Sequence, residues 1–379
     1  MRENLASTSR SLLLPITRKR KALLIALLLP FAFSGCGRRR PPQPPVERVQ
    51  QRTEFLSGVQ RGNQVILSWP APLRNAPDKS VQSIRRIDVY RLAERPNAPL
   101  ALTEEEFARR STVVGSVNYE QIKDAVGDLT YVDSLELAGE AARLRYAVRY
   151  VNAAGQRAAF SNFLIIEPSA KVAQAPTLVA TGKEISESAI TISWQPPTKN
   201  IDDSTPVNLL GYNIYRMDES QRAASQTPIN SPLVSGTQYS DTTFQFGQNY
   251  TYFVRSVSLG TEGAQVESLN SNPLSISPKD VFPPSAPTSI TIGAAAPGRL
   301  SIFFPANPEP DVAGYHIYRS VDADLPKEQW TKLTPSLLTR TTFQDENVES
   351  GKRYYYYLTA TDQSGNVSQP SEVVSETVP

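Results

Sequence analysis

Short stretches of alternating apolar and polar residues recur along the chain, with turn-forming residues between them. Val65, Leu67 and Trp69 alternate with Ile66 and Ser68. Successive side chains of a strand point to opposite faces, so this pattern predicts a half-buried strand. Ile190-Thr-Ile-Ser-Trp194 and Leu300-Ser-Ile-Phe-Phe304 repeat it. A second phrase follows each copy: Arg86-Ile-Asp-Val-Tyr-Arg91, Gly211-Tyr-Asn-Ile-Tyr-Arg216 and Gly314-Tyr-His-Ile-Tyr-Arg319. A third alternating run closes each copy, as Leu144-Arg-Tyr-Ala-Val-Arg-Tyr150, Tyr250-Thr-Tyr-Phe-Val254 and Tyr354-Tyr-Tyr-Tyr-Leu358.

Phrases that recur together at these intervals predict three copies of one domain, over residues 52–168, 174–278 and 284–379. Pro168, Pro176, Pro283, Pro284 and Pro287 punctuate the boundaries. The first copy carries an insertion at 92–130. There Thr103 precedes Glu104, Glu105 and Glu106, the sign of a helix start, and Tyr119 to Val126 predicts a second short helical turn. About seven short strands per hundred residues, without cysteines inside the copies, predict an all-β chain of sandwiches.

The copies resemble fibronectin type III domains. Trp69 and Trp194 with prolines close behind, the Gly-Tyr-x-Ile strand and the Gly-x-x-Tyr-x-Tyr run carry the likeness. The resemblance implies three tandem immunoglobulin-like β-sandwiches. It also places Tyr250 and Tyr354 at the tyrosine corner, where the hydroxyl bonds back to the preceding turn. Leu144 stands there in the first copy.

Charge changes the picture at the N-terminus. Six of the 39 basic residues and one of the 37 acids precede Cys36, so the chain from Cys36 onward has 33 basic and 36 acidic residues, net −3. That balance argues against nucleic acid as a partner. The basic run Arg18-Lys-Arg-Lys21 leads into the 12-residue apolar run Ala22–Phe33, then Ser34, Gly35 and Cys36. A basic start, a short apolar core and small residues are the parts of a secretory signal, over 1–35. Spanning a bilayer takes about 20 apolar residues.

Phe33-Ser34-Gly35-Cys36 resembles the bacterial lipoprotein lipobox, with Phe33 where Leu is usual. The resemblance implies a thioether-linked diacylglycerol on Cys36, cleavage before it, and acylation of the new amine by a chain such as palmitate. Several acyl chains anchor stably where one is marginal. Residues 36–51 then form a tether, since Gly37-Arg-Arg-Arg-Pro-Pro-Gln-Pro-Pro45 combines headgroup-seeking arginines with extended proline.

Strand parity selects candidate sites. If Tyr315 and Ile317 face the core, His316 and Tyr318 face out, and Tyr355 and Tyr357 join them on one face. Tyr215 and Phe253 do the same in the second copy. Outward aromatics can stack on sugars or anchor a protein interface, and they serve equally as cross-strand packing. His316 is the only histidine and Cys36 the only cysteine, so no Cys/His metal site, disulfide or nucleophile–imidazole pair is expected. Asp362-Gln-Ser-Gly-Asn366 offers calcium-type oxygens but reads more simply as a turn. Neither a phosphate loop nor an Arg-Gly-Asp motif occurs, since Arg61-Gly-Asn63 ends differently.

The expectation is a membrane-anchored, non-catalytic lipoprotein without cofactor or metal. It lies in the cell membrane or outer membrane, faces the periplasm or exterior, and presents its domains to a protein partner or acts as a spacer. One alternative is a polysaccharide-binding accessory that uses the tyrosines. Another is a hydrolase in the insertion, with carboxylates among Glu104, Glu105, Glu106 and Asp124.

Overall fold

The computed structural model describes residues 53, 55–72, 84–125, 127–137, 141–219 and 227–379, all within the compact unit Val49–Pro379. The expected signal peptide, Cys36 and the tether lie outside the described residues.

The first segment contains β1 (Ser57–Arg61), β2 (Gln64–Pro70), β3 (Ile84–Glu94), α1 (Glu104–Arg110), β4 (Thr112–Asn118), α2 (Tyr119–Ile122), β5 (Asp128–Ser134), β6 (Arg143–Asn152) and β7 (Leu164–Ile166). The second contains β8 (Thr177–Leu178), β9 (Glu184–Ile185), β10 (Ile190–Gln195), β11 (Gly211–Asp218), β12 (Gln238–Asp241), β13 (Tyr250–Leu259), β14 (Gln265–Glu267) and β15 (Leu274–Ile276). The third contains β16 (Thr291–Ala296), β17 (Arg299–Phe303), β18 (Val312–Ser320), β19 (Thr331–Lys332), β20 (Thr342–Asp345), β21 (Arg353–Asp362) and β22 (Val374–Thr377).

In each segment two sheets enclose a core. Strands β1-β2-β5 face β4-β3-β6-β7 across Trp69, Ile87, Tyr146 and Val148. Strands β8, β9, β10 and β12 face β11, β13, β14 and β15 across Trp194, Tyr212, Ile214 and Tyr252. Strands β16-β17-β20 face β19-β18-β21-β22 across Phe304, Tyr315, Ile317 and Tyr356. Phe304 fills the place of the tryptophan and packs edge-on against Tyr315 at 4.7 Å, as Trp194 does against Tyr212 at 5.1 Å.

Two details agree with the fibronectin type III likeness. The Tyr250 hydroxyl accepts the Gln245 N–H at 2.9 Å, and that of Tyr354 accepts the Glu349 N–H at 3.1 Å. Leu144 has no hydroxyl to do this. The glycine of the recurring phrase also has a cause. A Cβ on Gly211 or Gly314 would meet the Val234 or Leu338 carbonyl at 2.9 Å, where the neighbouring segment bridges the strand. In the first segment the regular strand β4 lies alongside instead, pairing Asn118 with Arg86, so no glycine is needed.

The insertion forms the two predicted helices. Thr103 and Glu106 make a reciprocal capping box at the start of α1.

Candidate binding face

The outward face of the third sandwich holds His316, Tyr318, Tyr355 and Tyr357, as parity predicts. Tyr318 and Tyr357 are cross-strand neighbours, stacked at 4.6 Å with planes 7° apart. Tyr357 is not free, however, being only 5% exposed. The connection between β18 and β19 folds over it. Trp330 lies 5.1 Å from the Tyr357 ring and is pinned by its indole N–H to the Leu325 carbonyl at 2.8 Å. The Tyr357 hydroxyl donates to the Lys327 carbonyl at 3.1 Å. The Lys327 ammonium is buried without a hydrogen-bond partner among the described residues, 4.3 Å from the Trp330 ring and 4.6 Å from that of Tyr357. The two π faces hold the cation there, and burial lowers its pKa. Burial likewise pushes the Tyr357 hydroxyl up to about 12. Tyr318, Tyr355 and His316 remain half-buried. The His316 Nδ1 lies 3.1 Å from the Thr334 hydroxyl. Its pKa is lowered by burial and by Lys332.

In the second sandwich the expected exposure of Tyr215 is corrected. Tyr215 is 2% exposed, while Phe253 is half-buried. The Arg255 guanidinium lies over the Tyr215 ring at 3.9 Å, and the Tyr215 hydroxyl donates to Glu267. Parity gave the direction of Tyr215 correctly. It could not show that Arg255, outward on the adjacent strand, folds across it.

The first sandwich has the cognate residue Tyr90, also buried. Here the cover is Phe160, backed by the insertion. Phe107 of α1 packs on Phe160 at 5.1 Å, and Phe160 meets Tyr90 edge-on at 4.9 Å. Two of the four acids considered for hydrolysis take part in that packing or in capping. Glu104 accepts the Phe160 N–H at 3.1 Å, and Glu106 caps Thr103. Glu104, Glu105, Glu106 and Asp124 are all exposed.

The arginine that ends each phrase points to a group of residues that sequence reasoning missed. Arg91, Arg216 and Arg319 reach Asp133, Asp241 and Asp345 at 2.8, 2.6 and 2.8 Å. Tyr146, Tyr252 and Tyr356 donate to the same three carboxylates at 2.7, 2.8 and 2.9 Å. Burial drives the three tyrosine hydroxyls far above their ordinary pKa. Burial alone would raise Asp241, but bonds from Thr243, Tyr252 and Arg216 outweigh it and hold it low. Arg216 and Arg319 are therefore committed inward, stacking on the rings of Tyr250 and Tyr354 as well. The recurrence of Tyr-x-Asp or Phe-x-Asp with the phrase-ending arginine was the available signal.

One oxygen cluster appears among the described residues. Carboxylate oxygens of Asp280, Asp311 and Asp362 lie within 4.8 Å of one another. Asp362 also accepts the Asn366 N–H and side-chain amide, both at 2.8 Å, as the turn reading requires.

No family model matches the chain. Over 239 residues it is 26% identical to exoglucanase B of Cellulomonas fimi, an alignment covering 61% of this chain and 20% of that enzyme's length. Among solved structures, the chicken CNTN1 FN1-FN3 domains match at 15% identity over 86% of this chain and 98% of theirs, with a TM-score of 0.26.

Proposed function

We propose that the chain is a lipid-anchored, non-catalytic protein of a bacterial envelope, held at Cys36 in the cell or outer membrane, with its sandwiches facing the periplasm or exterior. The observation that carries this is Phe33-Ser34-Gly35-Cys36 at the end of the apolar run, with Cys36 the only cysteine. The sandwiches space and present a surface to a protein partner. Much of their polar chemistry is committed internally, in the three Arg–Asp–Tyr groups and the Glu267 network, which favours presentation over catalysis. Metabolic palmitate labelling with membrane fractionation tests the anchor. The wild type takes up label and sediments with membranes, and Cys36→Ser does neither. Equal labelling of the two would sink the proposal.

Polysaccharide binding is a second reading. It is favoured by the half-buried pair Tyr318 and Tyr355 and by the partial likeness to a protein named as an exoglucanase. Retention on insoluble glucan that disappears in Tyr318→Ala with Tyr355→Ala supports it, and absence of retention in the parent removes it.

A further inference from the structure

The linker after β7 is bonded at nearly every step. Ser169 exchanges two hydrogen bonds with the Gln60 side chain, both 2.8 Å. The Val172 carbonyl accepts the Ile201 N–H at 2.8 Å, and the Ala173 N–H donates to the Ser258 hydroxyl at 2.8 Å. Gln174 donates its N–H to the Lys199 carbonyl at 3.0 Å and accepts from the Ser256 hydroxyl at 2.9 Å. Val172 and Ala173 are fully buried.

The two sandwiches also meet directly. Arg61 on β1 pairs with Glu267 on β14 in parallel register, and the Gly62 N–H donates to the Glu267 carbonyl at 2.7 Å. Gly62 sits at φ +55, and a Cβ there would come within 3.0 Å of Leu269. Glycine thus permits both the turn and the approach. The Glu267 side chain gathers four groups. Three come from its own sandwich: the Tyr215 hydroxyl, the Asn213 amide at 2.6 Å and the Arg255 guanidinium at 2.8 Å. The fourth is Arg61 of the first sandwich, at 3.9 Å.

The next junction is built differently. Among the described residues, no strand pairing or hydrogen bond runs directly from residues up to 276 to residues from 290 onward. The linker bonds to both sides. The Pro278 carbonyl accepts the Gly247 N–H at 2.9 Å, and Phe282 lies 6.0 Å from Phe246. On the far side the Ser285 N–H donates to Glu309 at 2.8 Å.

We infer that the first two sandwiches open as one cooperative unit clamped at Glu267, and that the third opens separately. In tandem arrays, stability is a sum of intrinsic terms and nearest-neighbour interface terms. Two neighbours open together when the interface term exceeds the difference between their intrinsic terms. Opening the second sandwich would strip β1 of its parallel partner and leave Arg61 without its carboxylate. Opening the first would remove Gln60 from Ser169 and Arg61 from Glu267. This coupling does not depend on the anchor at Cys36.

Pulse hydrogen exchange with mass spectrometry, on the detergent-purified full chain across a urea series, reads the opening of β2, β10 and β17 separately. In the unmodified chain β2 and β10 share one midpoint. Arg61→Ala removes the clamp from the first sandwich while leaving the other three Glu267 partners in place. It separates the midpoints of β2 and β10 by about 1 M urea and leaves β17 where it was. Should Arg61→Ala prove too unstable to label, Glu267→Gln serves in its place, with the same separation expected. Distinct β2 and β10 midpoints in the unmodified chain overturn the inference. So does coincidence that survives the substitution, or a β17 midpoint that moves with the other two.

Discussion

Tyr90, Tyr215 and Tyr318 occupy one position of one recurring phrase, and the three sandwiches treat it differently. In the first, Phe160 from the stretch between β6 and β7 meets the ring edge-on, and Phe107 of the inserted helix α1 packs on Phe160. In the second, Arg255 and Glu267 close over it and tie it to the neighbouring sandwich. In the third, the local connection carrying Lys327 and Trp330 covers Tyr357 and leaves Tyr318 half-buried. An aromatic on the outer face of a sheet is thus a site that later parts of the chain can cap, tie down or leave open. Among the described residues, the third sandwich is the one that leaves this ring partly exposed.

The comparison can be attacked first at the cap. Phe107→Ala removes a fully buried ring that packs on Phe160, the residue that meets Tyr90. It is expected to cost the first sandwich about 3–5 kcal/mol, measured by urea denaturation with exchange read at β6. A loss below about 0.5 kcal/mol would mean that α1 is an ornament and not a cover.

A smaller effect separates the second and third sandwiches. Tyr215→Phe deletes a buried hydroxyl bonded to Glu267 and should cost about 1–3 kcal/mol. Tyr318→Phe deletes a hydroxyl with no hydrogen bond among the described residues and should change stability by no more than about 0.5 kcal/mol. Equal losses at the two positions would erase the distinction.

Acid provides the smallest and most specific probe. Burial alone would raise Glu267, but bonds from Tyr215, Asn213 and Arg255 outweigh it and bring it below its ordinary 4.5. A carboxylate depressed in the folded state contributes its stability in full above the unfolded value and loses it as pH falls through the folded value. The gap in urea stability between the parent and Glu267→Gln should therefore be widest above pH 4.5 and close below it. A gap that is constant with pH would contradict the assignment.

What could be read from the sequence follows from what a period encodes. Alternation at Val65–Trp69 and in the Gly-Tyr phrase fixed which side chains point inward, and Thr103 with its following acids marked α1. The tyrosine corners at Tyr250 and Tyr354 followed from the family resemblance. Parity says where a side chain points and nothing of what arrives there afterwards. Arg255 reaches Tyr215 from 40 residues away, and Glu267 from 52. The Trp330 cover comes from a connection with no alternation of its own. The Arg–Asp–Tyr groups were hidden for a related reason. Arginines that end the phrase look solvated until the buried carboxylate that receives them is located.

The most direct measurement is tyrosine-specific modification of the folded full chain, mapped by mass spectrometry against time. The account predicts that Tyr318 and Tyr355 react while Tyr90, Tyr215 and Tyr357 stay protected until the chain is unfolded. Modification of Tyr215 as fast as Tyr318 in the folded chain would contradict it.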